Sequence, residues 1–87
     1  MSVARYRQKP VAVEAVRWDG ENDWELNHWI PGRYLCWSSD HAPCLSTEVG
    51  IKRAEVGDWI VHYEGGEFWP CCPDVFAAVF EVWPNDE

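Results

Sequence analysis

Two aromatic-rich runs, Trp59-Ile60-Val61-His62-Tyr63 and Phe68-Trp69-Pro70-Cys71, flank the segment Glu64-Gly65-Gly66-Glu67. Gly-Gly between strand-forming runs is the signature of a hairpin closed by a two-residue primed turn. That loop length predicts a register: Tyr63 opposite Phe68, His62 opposite Trp69, Val61 opposite Pro70 and Ile60 opposite Cys71. Opposed residues alternate between hydrogen-bonded and non-hydrogen-bonded pairs, and 61:70 falls on the second kind. Pro70 then loses no bond to the 59–63 strand. It does deny a bond to any strand on its other side, so residues 67–72 are expected at a sheet edge.

The rest of the chain is punctuated almost as clearly. Residues 10–18, rich in Val, read as a strand covered on much of both faces. Asp19-Gly20 breaks it. Asn22 is a suitable N-cap, with Glu25 three residues on in capping-box position. Leu26, Trp29 and Ile30 fall at i, i+3 and i+4, one stripe of a two-turn helix that Pro31-Gly32 ends. So short a helix is not stable alone and must dock on a sheet. Residues 33–38 and 44–49 read as strands joined by a polar loop at 39–43, and Gly50 marks a hairpin to a strand at 51–55. Pro73-Asp74 opens a single helical turn through Phe76, and residues 77–83 read as a last strand. The expectation is an α+β domain: a small curved antiparallel sheet of about six short strands with one docked helix.

With 87 residues, the chain is expected to form one domain, residues 5–83, followed by an acidic tail at 84–87. Seven Trp, three Tyr and three Phe are too large an aromatic load for disorder. No apolar run approaches the length of a membrane span. Arg5, Arg7 and Lys9 are not followed by the apolar stretch of a signal peptide, so a cytoplasmic setting is expected. The formal net charge is −8, which disfavours nucleic acid as a partner. Four basic groups (Arg5, Arg7, Lys9, Arg17) nevertheless sit in the first twenty residues, against Glu14 and Asp19.

Several motifs occur in a familiar order. Tyr6-Arg7-Gln8-Lys9-Pro10-Val11, Glu14-Ala15-Val16-Arg17-Trp18, Gly57-Asp58-Trp59-Ile60, Gly66-Glu67-Phe68-Trp69-Pro70-Cys71 and Pro73-Asp74-Val75-Phe76 resemble a group of small phage- and prophage-encoded proteins. Its pattern is YRKKPV…EAVQW…GDWI…GEFYPC…PDIF…YE. The Gly57-Asp58-Trp59 segment is also similar to the core of the PGDYG family, with Val56 and Trp59 replacing Pro and Tyr. The resemblance covers residues 5–18 and 56–81. It implies a phage-type origin, with the bacterial host cytoplasm as the setting, and carries no activity or catalytic residues with it.

The chemistry-bearing side chains offer little that is catalytic. His28, His41, His62 and the four cysteines, Cys36, Cys44, Cys71 and Cys72, lack zinc-ligand spacings, and adjacent Cys71 and Cys72 point to opposite faces of a strand. The cysteines are expected to be reduced and to pack as small hydrophobes, and no cofactor is expected. Ser38-Ser39-Asp40-His41 has the residue types of a triad but reads as a polar turn bonding its own backbone. Asp58, Glu67 and Glu81 are better explained by turn and solvent roles than as a converging acid–base set.

The tryptophans are the most informative group. Seven indoles cannot all be covered in so small a domain, and exposed Trp is over-represented at interface hot spots. Trp24 lies off the Leu26/Ile30 stripe and is expected to stay exposed, whereas Trp29 is expected to pack on the sheet. Trp24, Trp37, Trp69 and Tyr63 are therefore the candidate binding residues. The expected function is that of a non-enzymatic accessory protein which binds a host or phage protein, as in counter-defence or host takeover. The alternatives are a small-molecule or nucleotide binder with its pocket between helix and sheet, and a minor virion factor that dimerises through the 67–72 edge.

Overall fold

A computed structural model of the chain describes residues 13–63 and 66–80. The order of elements is β1 (Glu14–Arg17), α1 (Asp23–Trp29), β2 (Leu35–Trp37), β3 (Pro43–Thr47), β4 (Gly50–Arg53), β5 (Trp59–His62), β6 (Phe68–Cys71) and α2 (Pro73–Val79). The fold is α+β, as expected. Its six strands form two three-stranded antiparallel sheets, ordered β1-β5-β6 and β2-β3-β4, rather than one continuous curved sheet. A second helix stands where one was expected. No helix among the described residues is long and apolar enough to cross a membrane.

The two sheets meet where β6 packs against β3 and β4, and α1 closes the core between them. Trp18, Leu26, Ile30, Leu45, Ala54, Ile60 and Phe68 form that core. Leu26 and Ile30 are buried while Trp24 is 65% exposed, so the helix faces as its apolar spacing requires. Trp29 is half-buried against the core.

The start of α1 departs from the expected capping box. Asn22 Oδ1 accepts the Asp19 N–H at 2.9 Å, and Asp19 Oδ1 accepts the Asn22 N–H at 2.9 Å. The Asn22 N–H is thus committed to Asp19 and not to Glu25. The Glu25 carboxylate instead receives the Asn22 side-chain amide at 3.0 Å, and the same amide donates to the Arg17 carbonyl at 2.8 Å. The nearly buried Asn22 thus ties the end of β1 to the start of α1.

The hairpin β5–β6 exists, but its register is one residue from the expected one. The pairs are Trp59↔Cys71, Ile60↔Pro70, Val61↔Trp69 and His62↔Phe68. Pairing stops at His62, leaving five residues, 63–67, in place of a tight two-residue turn. The Tyr63 carbonyl accepts the Gly66 N–H at 2.8 Å. A one-residue slip exchanges the faces of a strand. Phe68 now shares the core face with Ile60 and is 3% exposed, and Trp69 joins the opposite face. The argument that placed Pro70 opposite Val61 fails with that register. Pro70 opposes Ile60, again a pair that proline's missing N–H restricts to the non-hydrogen-bonded kind. β6 is nonetheless an edge strand.

The segment read as a last strand, 77–83, is helical through Val79, and residues 81–83 lie outside the described part. Pro73 starts α2, and Ala77-Ala78 favour its continuation. The helix places Phe76 flat on Trp59, with centroids 4.2 Å apart and planes 5° apart. That stack covers part of the sheet face turned away from the core, and Phe80, at the C-cap of α2, lies 5.0 Å from Phe76.

Candidate functional site

Register across the first sheet aligns Glu14, His62 and Phe68 in one row, because Glu14 pairs with His62 and His62 with Phe68. Opposed residues in a ladder share a face, so this row continues the core face beyond Val16 and Ile60. The C-terminal end of α1 and the turn that follows it rise over the row. Together they form a cleft of about 370 Å³ lined by Glu14, Trp29, Pro31, Arg33, Tyr34, His62, Gly66 and Phe68.

Phe68 is the floor. Trp29 meets it edge-on at 5.1 Å and 90°, Tyr34 lies tilted at 5.8 Å, and His62 stacks on it at 4.1 Å and 5°. The polar groups of the lining include Glu14, His62 and Arg33. The Trp29 Nε1–H donates to Glu14 Oε1 at 3.2 Å, and His62 Nδ1 is 3.8 Å from the same oxygen. The Arg33 guanidinium lies 4.9 Å over the Tyr34 ring. Among the described residues Arg33 has no carboxylate partner within 4 Å. The lining includes no Ser, Thr or Cys that could act as a nucleophile.

The four aromatic residues singled out in the sequence do not converge on this cleft. Trp24 is exposed on the first turn of α1. Trp37 is half-buried, donates its indole N–H to Asn27 Oδ1 at 3.0 Å and stacks on His41 at 4.8 Å. Trp69 is half-buried on the far face of the first sheet, opposite Val61, and Tyr63 is 41% exposed just beyond β5. The cleft residues Glu14, Arg33, Tyr34, His62 and Phe68 were not singled out together. A hairpin loop with an odd number of residues is the one signal that sets His62 beside Phe68, and the Gly-Gly dipeptide argued against it.

The Ser38–His41 segment is a structural turn. Ser38 Oγ accepts the Ala42 N–H at 3.0 Å and donates to the Asp40 carboxylate, which also takes two bonds from Arg53 at 2.9 and 2.6 Å. Arg53, and then Ser38, hold the Asp40 carboxyl well below the usual carboxylate range. Asp58 Oδ2 accepts the Glu55 N–H at 2.8 Å in the turn before β5. Glu81 lies outside the described residues. Among the described residues no three His, Cys, Asp or Glu side chains are grouped to hold a metal ion.

Compared with known proteins, the chain matches no family model, no curated protein and no solved structure.

Proposed function

We propose that this domain is a non-enzymatic binding protein whose ligand enters the cleft between α1 and the first sheet. The observation that carries this reading is the pairing of an aromatic floor and walls (Phe68, Trp29, Tyr34) with two opposed charges, Glu14 and Arg33. An open cleft of this size that mixes aromatic with polar groups suits a small organic molecule. The chemistry that fits is a planar ring joined to an anionic group, of which a nucleotide is representative. The ring lies against the aromatics, Arg33 meets the anion, and Glu14 with His62 meets donors on the ring edge.

Thermal-shift titration with nucleoside monophosphates, nucleosides and inorganic phosphate tests the proposal. Ligand that binds only the native state raises the melting temperature by mass action, equivalent to about 2.7 kcal/mol at a hundredfold excess over Kd. Nucleotide is expected to stabilise more than either part alone, and Arg33→Ala is expected to abolish the difference. No shift with millimolar nucleotide overturns this reading.

A second reading rests on Trp24, 65% exposed between Asp23 and Glu25 in a chain of net charge −8. An exposed indole on an acidic chain fits a basic groove on another protein, with complementary fields steering the encounter. It is compatible with the phage-type origin that the sequence resemblance implies. Capture of a partner by the wild-type chain but not by Trp24→Ala, with Arg33→Ala binding normally, favours this reading over the first.

A further inference from the structure

The second sheet sets Cys36, Cys44 and Arg53 in one row: Cys36 is the Cα partner of Cys44, and Cys44 of Arg53. The Ser38 N–H bonds to the Ala42 carbonyl and the Ser46 N–H to the Tyr34 carbonyl, both at 2.9 Å. Each of these contacts lies two residues from the cysteines in the same register. Alternation therefore makes Cys36–Cys44 a hydrogen-bonded pair, whose Cα atoms lie about 5.5 Å apart. That separation falls within the roughly 4.4–6.8 Å that disulfides span. The Cβ atoms of a hydrogen-bonded pair stand about 5.5 Å apart, so closing to the roughly 4 Å of a disulfide requires the edge strand β2 to shift and leaves the bond strained and easily reduced.

The two thiols share the face turned away from Leu35 and Leu45, which belong to the core side. They differ in access. Cys36 is exposed on the edge strand β2, and Cys44 is half-buried on the central strand. Each sulfur has only a weak acceptor, Cys36 Sγ donating to the Cys44 carbonyl and Cys44 Sγ to the Ala42 carbonyl, both at 3.7 Å. Burial and the neighbouring Cys36 push the Cys44 thiol up, while Arg53 opposes that rise. The order of reaction follows: the exposed sulfur is met first and the covered one resolves.

We propose that Cys36 and Cys44 form a reversible dithiol–disulfide site that exchanges with small-molecule disulfides of the glutathione class. The Cys36 thiolate attacks one sulfur of the oxidised disulfide, forming a mixed disulfide and expelling one thiolate. Cys44 loses its proton to solvent, and its thiolate attacks the Cys36 sulfur, expelling the second thiolate. Two protein thiols are oxidised by two electrons, one small-molecule disulfide is reduced to two thiols, and the two protons released pass to those thiols. In a reducing compartment the site rests as the dithiol. Cys71 ends β6 and Cys72 is the N-cap of α2, so these chain neighbours form no comparable cross-strand pair.

The test equilibrates the full chain across reduced-to-oxidised glutathione ratios, quenches with an alkylating agent, and maps the cysteines by mass. Cys36 and Cys44 are expected to lose alkylation together with a single midpoint and the loss of two hydrogens from the intact mass. In Cys44→Ser, a single glutathione adduct on Cys36 is expected to accumulate. The proposal is overturned if both cysteines stay alkylatable in fully oxidised glutathione. It is equally overturned if each takes its own glutathione, or if Cys71 pairs with either of them. The wild-type mapping decides the question even where a substituted chain folds poorly.

Discussion

His62 and Phe68 are Cα partners across β5 and β6, and their rings stack with centroids 4.1 Å apart and planes within 5°. This contact fixes which face of β6 looks inward. Phe68 is buried at the base of the cleft, and Trp69 is turned to the other side of the sheet.

Phe68→Ala is therefore expected to cost about 3–5 kcal/mol, the range for deleting a buried aromatic ring. Trp69→Ala, which removes a larger but half-buried ring, should cost less. Urea denaturation of the two variants measures the difference. The reverse order would mean that β6 pairs in the register with His62 opposite Trp69.

On α1, Trp24→Ala is expected to change stability by no more than about 0.5 kcal/mol, as for most surface substitutions. Trp29→Ala removes the edge-on contact to Phe68 and the bond to Glu14. Because Trp29 is only half-buried, its loss should cost about 2–3 kcal/mol, short of a fully buried aromatic. Two thermal melts suffice. A larger loss for Trp24→Ala would mean the helix presents the other face to the core.

Asp40 and Arg53 make the pH dependence of the second sheet predictable. Arg53 holds the Asp40 carboxyl low, so the native state favours the charged form more than the unfolded chain does. The stabilisation is complete above the unfolded carboxyl value, near pH 4, and is lost as pH falls through the lower native value. Both groups are largely exposed, so added salt should weaken the effect. The melting-temperature gap between wild type and Asp40→Asn is expected to be flat from pH 5 to 7 and to narrow steadily toward pH 2. A gap that widens on acidification would contradict the pairing.

His41 has φ 65°, the one positive value at a non-glycine residue among those described, and its ring stacks on Trp37 at 4.8 Å. The stack offsets a left-handed backbone that costs an L-residue about 1–2 kcal/mol. His41→Ala and His41→Gly both delete the ring, but only Gly adopts this conformation freely. The Gly variant should be the more stable by about 1 kcal/mol. Equal stabilities would show that the turn relaxes once the ring is gone.

Local chemistry in the sequence was enough to place most elements. Leu26 and Ile30 mark the buried stripe of α1 because residues three and four apart share a helix face. Asp19-Gly20, Pro31-Gly32 and Gly50 break the chain because of the backbone angles they allow or forbid, and Pro70 keeps β6 at an edge because it has no N–H to give. What depended on distant parts of the chain was not legible there. The five-residue connection at 63–67 is selected by the fit of Phe68 beneath Trp29 and Tyr34, more than thirty residues away in sequence, where turn chemistry alone favoured Gly-Gly. The docking of α2 through the Phe76–Trp59 stack exists only once β5 is in place. The cleft is likewise a tertiary product. Glu14 reaches Trp29 and His62 because β1 pairs with β5, and Arg33 joins the same lining because the turn after α1 carries it there. Periodicity and turn signals act over a few residues, whereas register and cleft are set by which side chains fill a shared interior.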